Sequence, residues 1–338
     1  MKAAIKWAAL TLGLVLLGWY VSRLDLAAVK EVLQRLGWLA PLVLIPYFTV
    51  YVVDCLGWRL AFSESPGVGF GTLLRIRWSG ESLNNVMPSA YIGGEALKVY
   101  LLRKCGVQAS TGTASVVVSK TAQTVAQVLF ISLASITFLY VAGDQPGLRI
   151  GMSIVLSCGV LVVVGMLWLQ RCGLVNVLFS VARRLRLRIR ALETNRAKID
   201  EVDRTISGFY RARPRRFVAS TAVYFTGWML DTTEIYLVSH LIGLPITWWQ
   251  ALCVEAFTGV AKMLGMWVPG SLGVQESGIV LLGRLAGLPD TLSFTYALLR
   301  RVRETIFVLI GWGLLYMAEA TPWIAISNSI EKNGIDTK

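Results

Sequence analysis

The run LLRRVRETIF, residues 298–307, sets Arg300, Arg301, Arg303 and Glu304 into an otherwise apolar stretch. On a helix Glu304 would meet Arg300 at four residues and Arg301 at three, the separations at which side chains on one face touch. Facing lipid at the centre of a bilayer, each charge would cost about 2.5–3.5 kcal/mol. They must therefore line a cavity or lie at an interface, the latter requiring a short final helix that begins near Glu304. Two further acids follow breaks in apolar sequence: Glu95 comes after Pro88, Gly93 and Gly94, and Glu276 after Pro269, Gly270 and Gly273 in WVPGSLGVQES. A carboxylate in the first turn of a helix complements the helix dipole; the same carboxylate, if buried, requires a cation. A set of this kind can hold a polar or anionic headgroup. The residues expected to bind substrate are Glu95, Lys120, Glu276, Arg300, Arg301, Arg303 and Glu304, and the turn residues Pro88, Gly93, Gly94, Pro269, Gly270 and Gly273 position them.

Other chemistries find little material. There is no Gly-rich Lys-Ser/Thr phosphate loop and no His/Cys set at metal-ligand spacing, so neither a cofactor nor a metal is expected. Cys55, Cys105, Cys158, Cys172 and Cys253 are scattered, mostly among apolar neighbours, and read as packing residues. The lone His240 stands near the end of a span and reads as interfacial. Asp54, Asp231 and Glu234 lie inside or at the ends of spans and are candidate cavity residues. The chain is not expected to be an enzyme, although paired membrane carboxylates leave acid/base chemistry open as the alternative.

The elements that must position these charges are membrane helices. The chain is 55% hydrophobic and 16% charged over 338 residues, against about 25% charged in soluble domains. Uncharged runs at 7–22, 36–53, 121–143 and 150–170 approach the roughly 17–25 residues of a membrane-crossing helix. WYVSRLDLA lacks the small residues of a cleavage site, so the first run is expected to be retained. Twelve Lys/Arg between Arg183 and Arg216, against Glu193, Asp200, Glu201 and Asp203, place that segment and the N-terminus in the cytoplasm by the positive-inside rule. Apolar residues recur there at helical spacing, Leu178, Val181, Leu185 and Leu192, then Ile199, Val202, Ile206 and Phe209. This suits amphipathic helices on an anionic lipid surface over 178–216; a solvated loop whose arginines only set topology is the other reading. No nucleic-acid motif accompanies the basic residues.

An offset of 181 residues aligns 86–107 with 267–288 without a gap, and eight of the 42 pairs from position 83 to 124 are identical, including Pro88/Pro269, Glu95/Glu276, Arg103/Arg284 and Gly106/Gly287. The same register pairs Lys120 with Arg301 and Gln123 with Glu304. Each copy reads as an incoming helix, a broken turn, a short outgoing helix and a long span. Counting crossings between copies gives an odd number, which makes them inverted. The expected fold is an all-α, polytopic membrane protein of two inverted repeats, each with a re-entrant Pro/Gly-broken helical hairpin, a sequence signature of transporters. One domain spans 1–338: an N-terminal half to about 171, a basic linker to about 215, a C-terminal half to about 320 and a short tail, 321–338.

SGESLNNVMPSAYIGGEALKVYLLRKCGV and WVPGSLGVQESGIVLLGRLAGLPD followed by ALLRRVRE resemble the flippase-like transmembrane domain of lysylphosphatidylglycerol synthases. The Glu-Ser-x-Asn-Asn and Gly-Gly-Glu patterns, Asp231 to Glu234 and the Leu-x-Arg-x-Arg-Glu ending are similar to the hopanoid-biosynthesis-associated membrane proteins of that superfamily. The likeness covers about residues 36 to 320. It implies a multi-pass bacterial inner-membrane protein that moves or presents a polar or anionic lipid, with hopanoid-related lipids as one class, or an accessory subunit of lipid biosynthesis. Since the chain stops at residue 338 without the soluble aminoacyl-transfer domain of the full synthases, lysine transfer is not expected of it alone.

Overall fold

The computed structural model of the chain describes residues 30, 34, 36–87, 92–141, 146–172, 196–265, 268, 271 and 273–320. All regular structure among them is helical. A 3-10 segment, Gly37–Val43, precedes α1 (Leu44–Leu60), α2 (Phe70–Val86), α3 (Ile92–Lys104), α4 (Ala109–Val141), α5 (Pro146–Cys172), α6 (Arg196–Ala212), α7 (Pro214–Leu241), α8 (Trp248–Leu264), α9 (Val274–Leu285) and α10 (Asp290–Ala320). Among the described residues, Gly37–Leu60 and Ala109–Leu139 are long and apolar enough to cross a bilayer. Large apolar side chains on α1 and α5 point outward, including Ile45, Phe48, Ile154, Leu161 and Trp168. Such a surface is poorly tolerated in water and is what a helix presents to lipid. The predicted first span, Pro88, Pro269, Gly270, Cys172's side chain and the first part of the basic linker lie outside the described residues.

The 181-residue offset reappears in the helix boundaries: α4 begins at Ala109 and α10 at Asp290. It reappears again where α3 and α9 end. Gly106 (φ 86°) and Gly287 (φ 75°) both adopt the left-handed conformation, which glycine enters without steric cost. Gly106 N donates to Arg103 O and Gly287 N to Arg284 O, each at 3.1 Å, while Val107 N donates to Leu102 O at 3.1 Å and Leu288 N to Gly283 O at 2.8 Å. These are two instances of one helix stop, the carbonyls of the last turn being satisfied by the glycine and the residue after it. In the long helices that follow, Thr124 Oγ1 donates to Lys120 O at 2.9 Å and Thr305 Oγ1 to Arg301 O at 2.8 Å.

Residues divide into two compact units. The first comprises Met1–Val52, Gly71–Lys98 and Met229–Lys338. One core joins Ile235 and Val238 of α7, Ala251 and Val254 of α8, Ile279 of α9, and Leu292, Tyr296 and Leu299 of α10. α8 starts where Thr247 Oγ1 accepts from Gln250 N and the Gln250 side chain accepts from Thr247 N, a reciprocal cap that satisfies two otherwise orphaned donors. A second core is aromatic: Tyr47 and Tyr51 of α1, Trp78 of α2 and Phe307 of α10. Trp78 stacks on Phe307 at 5.1 Å and its indole N–H donates to Phe307 O at 2.8 Å. This close approach requires Gly311, where a Cβ would come within 1.9 Å of Ser82 Oγ.

The second unit comprises Val53–Phe70 and Val99–Trp228. Tyr224 of α7 packs on Ala122 and Ala126 of α4 and against Gly57 of α1, and hydrogen-bonds Ser119. Ser220 Oγ donates to Gly57 O at 2.8 Å, and Arg216 Nη1 to Phe62 O at 3.0 Å, closing the end of α1. α6 packs against α4 and α5, burying Ile206 and Phe209. The apolar stripe expected to lie on a lipid surface is thus, at these two positions, turned into the protein. Helix packing removes that area from water as well as a leaflet would.

Candidate functional site

α10 buries Tyr296, Arg300, Arg303, Glu304 and Phe307, positions that recur at four, seven, eight and eleven residues and so form one helix face. The pattern is that of an ordinary core helix in which three core positions carry charge. Arg301, the fourth charge of the run, is equally buried at 3% exposure. α10 continues unbroken from Asp290 to Ala320, so the charges lie mid-helix and the short interfacial helix starting near Glu304 is not what forms.

Each charge has a partner from a neighbouring helix. Arg300 Nη1 donates to Glu255 Oε2 of α8 at 2.6 Å and to the Tyr296 hydroxyl at 2.8 Å, and that hydroxyl donates to the same Glu255 oxygen at 2.8 Å. Glu304 lies 3.8 Å from Arg300 and accepts from Arg301 at 3.2 Å, from Lys262 of α8 at 3.1 Å and from Gln275 of α9 at 3.2 Å. Glu255 and Lys262 are seven residues apart and so share a face of α8, the face turned to α10. Removing one partner from a buried pair costs about 3–5 kcal/mol, because the other charge is left uncompensated.

Glu276 performs both roles foreseen for it. One carboxylate oxygen accepts from Gly273 N at 2.9 Å, capping α9, where Gly273 holds φ at 81°. The other accepts from Arg301 Nε at 2.6 Å and also from Arg301 Nη2. Glu276 and Lys262 remain 32% and 22% exposed, whereas Arg301 and Glu304 are nearly sealed. The network therefore opens outward at Glu276 and Lys262. Exposed Met263 and Leu264 at the end of α8, Val274 at the start of α9 and Val268 between the two helices border Lys262 and Glu276 in sequence. Cations bordered by an exposed apolar rim suit an amphiphile with an anionic head.

Arg303 is held separately. It is 1% exposed and pairs with Glu234 and, at 3.6 Å, with Asp231, both on α7 and both through the same Nη1. Tyr47 covers the guanidinium at 3.6 Å from its ring centroid.

In the first repeat copy Lys98 Nζ donates to Glu95 at 3.0 Å and to Glu81 of α2 at 2.7 Å, and Arg77 lies 3.8 Å from Glu81. Lys120 lies in the second unit, where it donates to Gln123 Oε1 at 3.2 Å. Gly93 and Gly94, expected in the turn, are instead inside α3. Gly94 is there for contact: its N–H donates to Asn84 Oδ1 at 2.8 Å, and a Cβ would lie 2.1 Å from Gly80 O. His240 is exposed near the end of α7 and bonds Tyr236 O at 2.8 Å. Asp54 lies beside Gly227 in the second unit. Among the described residues Cys55, Cys105, Cys158 and Cys253 form no disulfide.

Sequence reasoning missed Glu255, Lys262, Glu81 and Lys98 as network members. Glu255 carried a usable signal, being an isolated acid in the apolar run ALCVEAFTGVA; Lys262, seven residues on, marks the same face.

The description "Lysylphosphatidylglycerol synthase TM region" belongs to the family model that matches residues 6–311. A UPF0104 membrane protein from Pyrococcus horikoshii is 23% identical over 268 residues, covering 75% of this chain and 80% of the relative. No solved structure matches the chain.

Proposed function

The chain belongs to the lysylphosphatidylglycerol synthase transmembrane-region family, a membrane family linked to lipid handling, and from that premise we propose that it moves or presents a polar or anionic lipid across a bacterial inner membrane. The supporting observation is the network at Arg301, Lys262, Glu276 and Glu304, buried within and partly exposed at its Glu276 end. An anionic headgroup would compete with Glu276 for Arg301 and Lys262, while the acyl or polycyclic part stays with the apolar rim. The two repeat copies would be inverted, with their broken turns entering as re-entrant hairpins from opposite faces, and the N-terminus and basic linker would be cytoplasmic. The linker's arginines, rather than the packed stripe of α6, would then meet anionic lipid. Hopanoid-related lipids are one substrate class this reading includes.

Reconstituted liposomes with leaflet-resolved labelled lipids test it. Transbilayer movement without chemical change is the expected result; a new lipid product seen by mass spectrometry would instead make the chain a membrane enzyme. In the same assay Glu276→Gln and Arg301→Ala should each abolish movement, and the double variant should be no worse than either single, as for residues acting in one unit. Normal movement by an inserted Glu276→Gln protein would overturn the site.

A further inference from the structure

The buried charges of the α7–α8–α10 region do not balance. Ion pairs hold four cations and five carboxylates in two separate groups, Lys262, Arg300 and Arg301 with Glu255, Glu276 and Glu304, and Arg303 with Asp231 and Glu234. The excess is located at α7. Glu255 and Glu304 are served by Arg300, Arg301 and Lys262, and Glu276 by Arg301, but Asp231 and Glu234 both address one nitrogen of Arg303. Among the described residues no second cation forms an ion pair with either carboxylate, and Asp231 Oδ1 and Glu234 Oε1 accept no hydrogen bond.

Two carboxylates that share one cation in a buried site cannot both stay ionised cheaply, because each destabilises the other's charge and an unmatched buried charge is costly. The shortfall is one positive charge. A metal ion would need several oxygen ligands, and among the described residues no group of three or more His, Cys, Asp or Glu is placed to hold one. A proton needs only an oxygen.

We propose that Asp231 and Glu234, beneath Arg303, form a proton-binding site, and that its loading and unloading drive the lipid handling described above. Proton binding converts one carboxylate to its acid, leaving a matched pair of one guanidinium and one carboxylate; release restores the excess negative charge. Arg303 from α10 pairs with the site and is covered by Tyr47 from α1, while Arg300 and Tyr296 from α10 and Glu255 from α8 lie within electrostatic reach of Asp231. The consequence can travel: Asp231 acts electrostatically on Glu255 and Arg300, Arg300 holds Glu304, and Glu304 holds Arg301, which holds Glu276 at the exposed end. A charge change at α7 thus reaches the Arg301–Glu276 pair through one electrostatic step followed by a chain of ion pairs.

The coupling rests on the transport reading; the proton site does not, and the experiment separates them. Infrared pH titration of the full chain in lipid, for wild type, Asp231→Asn and Glu234→Gln, reads protonated carboxyl groups by their carbonyl stretch and its shift in heavy water. The expected result is a band in wild type at neutral pH that loses the intensity of one carboxyl in either variant, since the remaining carboxylate is matched by Arg303. In liposomes an imposed pH gradient should speed lipid movement several-fold in wild type and not in either variant. Undiminished intensity in both variants overturns the proton site, and a response to a sodium gradient instead of a pH gradient overturns the choice of ion. If no lipid moves under any condition while the band behaves as expected, the transport reading and its coupling fail and the proton site stands.

Discussion

In the first repeat copy, Glu95 is held by Lys98 three residues further along the same helix, and that lysine also reaches Glu81 on α2. In the second, the equivalent Glu276 is held by Arg301, 25 residues on and in the following helix. The incoming helices differ in the same sense: position 81 is a glutamate, and its counterpart 262 a lysine that reaches Glu304. The backbone is repeated, down to the glycine caps, while the charges are redistributed. Local pairing in the first copy ties α3 to itself and to α2. Distant pairing in the second ties three helices together through charges that one headgroup or one proton could redirect. One pattern of helix ends thus carries two different arrangements of charge.

The largest way to break this comparison is Arg300→Ala. It strands Glu255, which is 0% exposed, and should cost about 3–5 kcal/mol, removing most monodisperse protein in fluorescence-detected size exclusion. The position in register is Ser119 in the first copy, so Ser119→Ala, which deletes only a hydroxyl bonded to Tyr224, should cost about 1 kcal/mol. Equal losses from the two substitutions would mean that the second copy's ion pairs carry no special stability.

A middle-sized test concerns what the copies share. Gly106→Ala and Gly287→Ala each force a side chain into the left-handed region, at a cost of about 1–2 kcal/mol. The two variants should lower thermal unfolding temperature by the same amount within error. A marked difference would show that the common cap is supported unequally by its surroundings.

The shared part was legible in sequence because caps and turns depend on residue type at fixed register: Gly106/Gly287 and Thr124/Thr305 were visible as identities. Glu276 with Arg301 was legible because an acid set in apolar sequence calls for a cation, and the following span offers arginines. Which cation Glu255 or Glu81 would meet was not, since which helix faces which is decided by packing. The same blindness misplaced Gly94, whose role is contact with α2 rather than a turn, and sent the Ile206 and Phe209 stripe to lipid when α4 and α5 cover it.

The smallest test lies at the start of the long helices. Asp290 opens α10 and takes a two-pronged contact from Arg284, Nε to Oδ1 at 2.7 Å and Nη2 to Oδ2 at 3.0 Å, while Ala109 opens α4 without a carboxylate. Arg103, the counterpart of Arg284, therefore has no equivalent acid at that register. The hydrogen bonds from Arg284, with its charge adding to them, hold the Asp290 carboxyl below its usual range. A lowered folded value means that the pair adds stability above the unfolded carboxylate pKa of about 3.9 and loses it as pH falls through the lower folded value. Both side chains are well exposed, so salt screens the contact. Asp290→Asn should lower unfolding temperature slightly at neutral pH and low salt, and match wild type at high salt or below the folded pKa. Ala109→Asp should import the same salt-sensitive gain into the first copy, because Arg103 stands where Arg284 does. If instead Asp290→Asn is as damaging as Arg300→Ala at high salt, the exposed pair belongs with the ion-pair network of α8, α9 and α10, and the boundary drawn between shared scaffold and divergent charge lies in the wrong place.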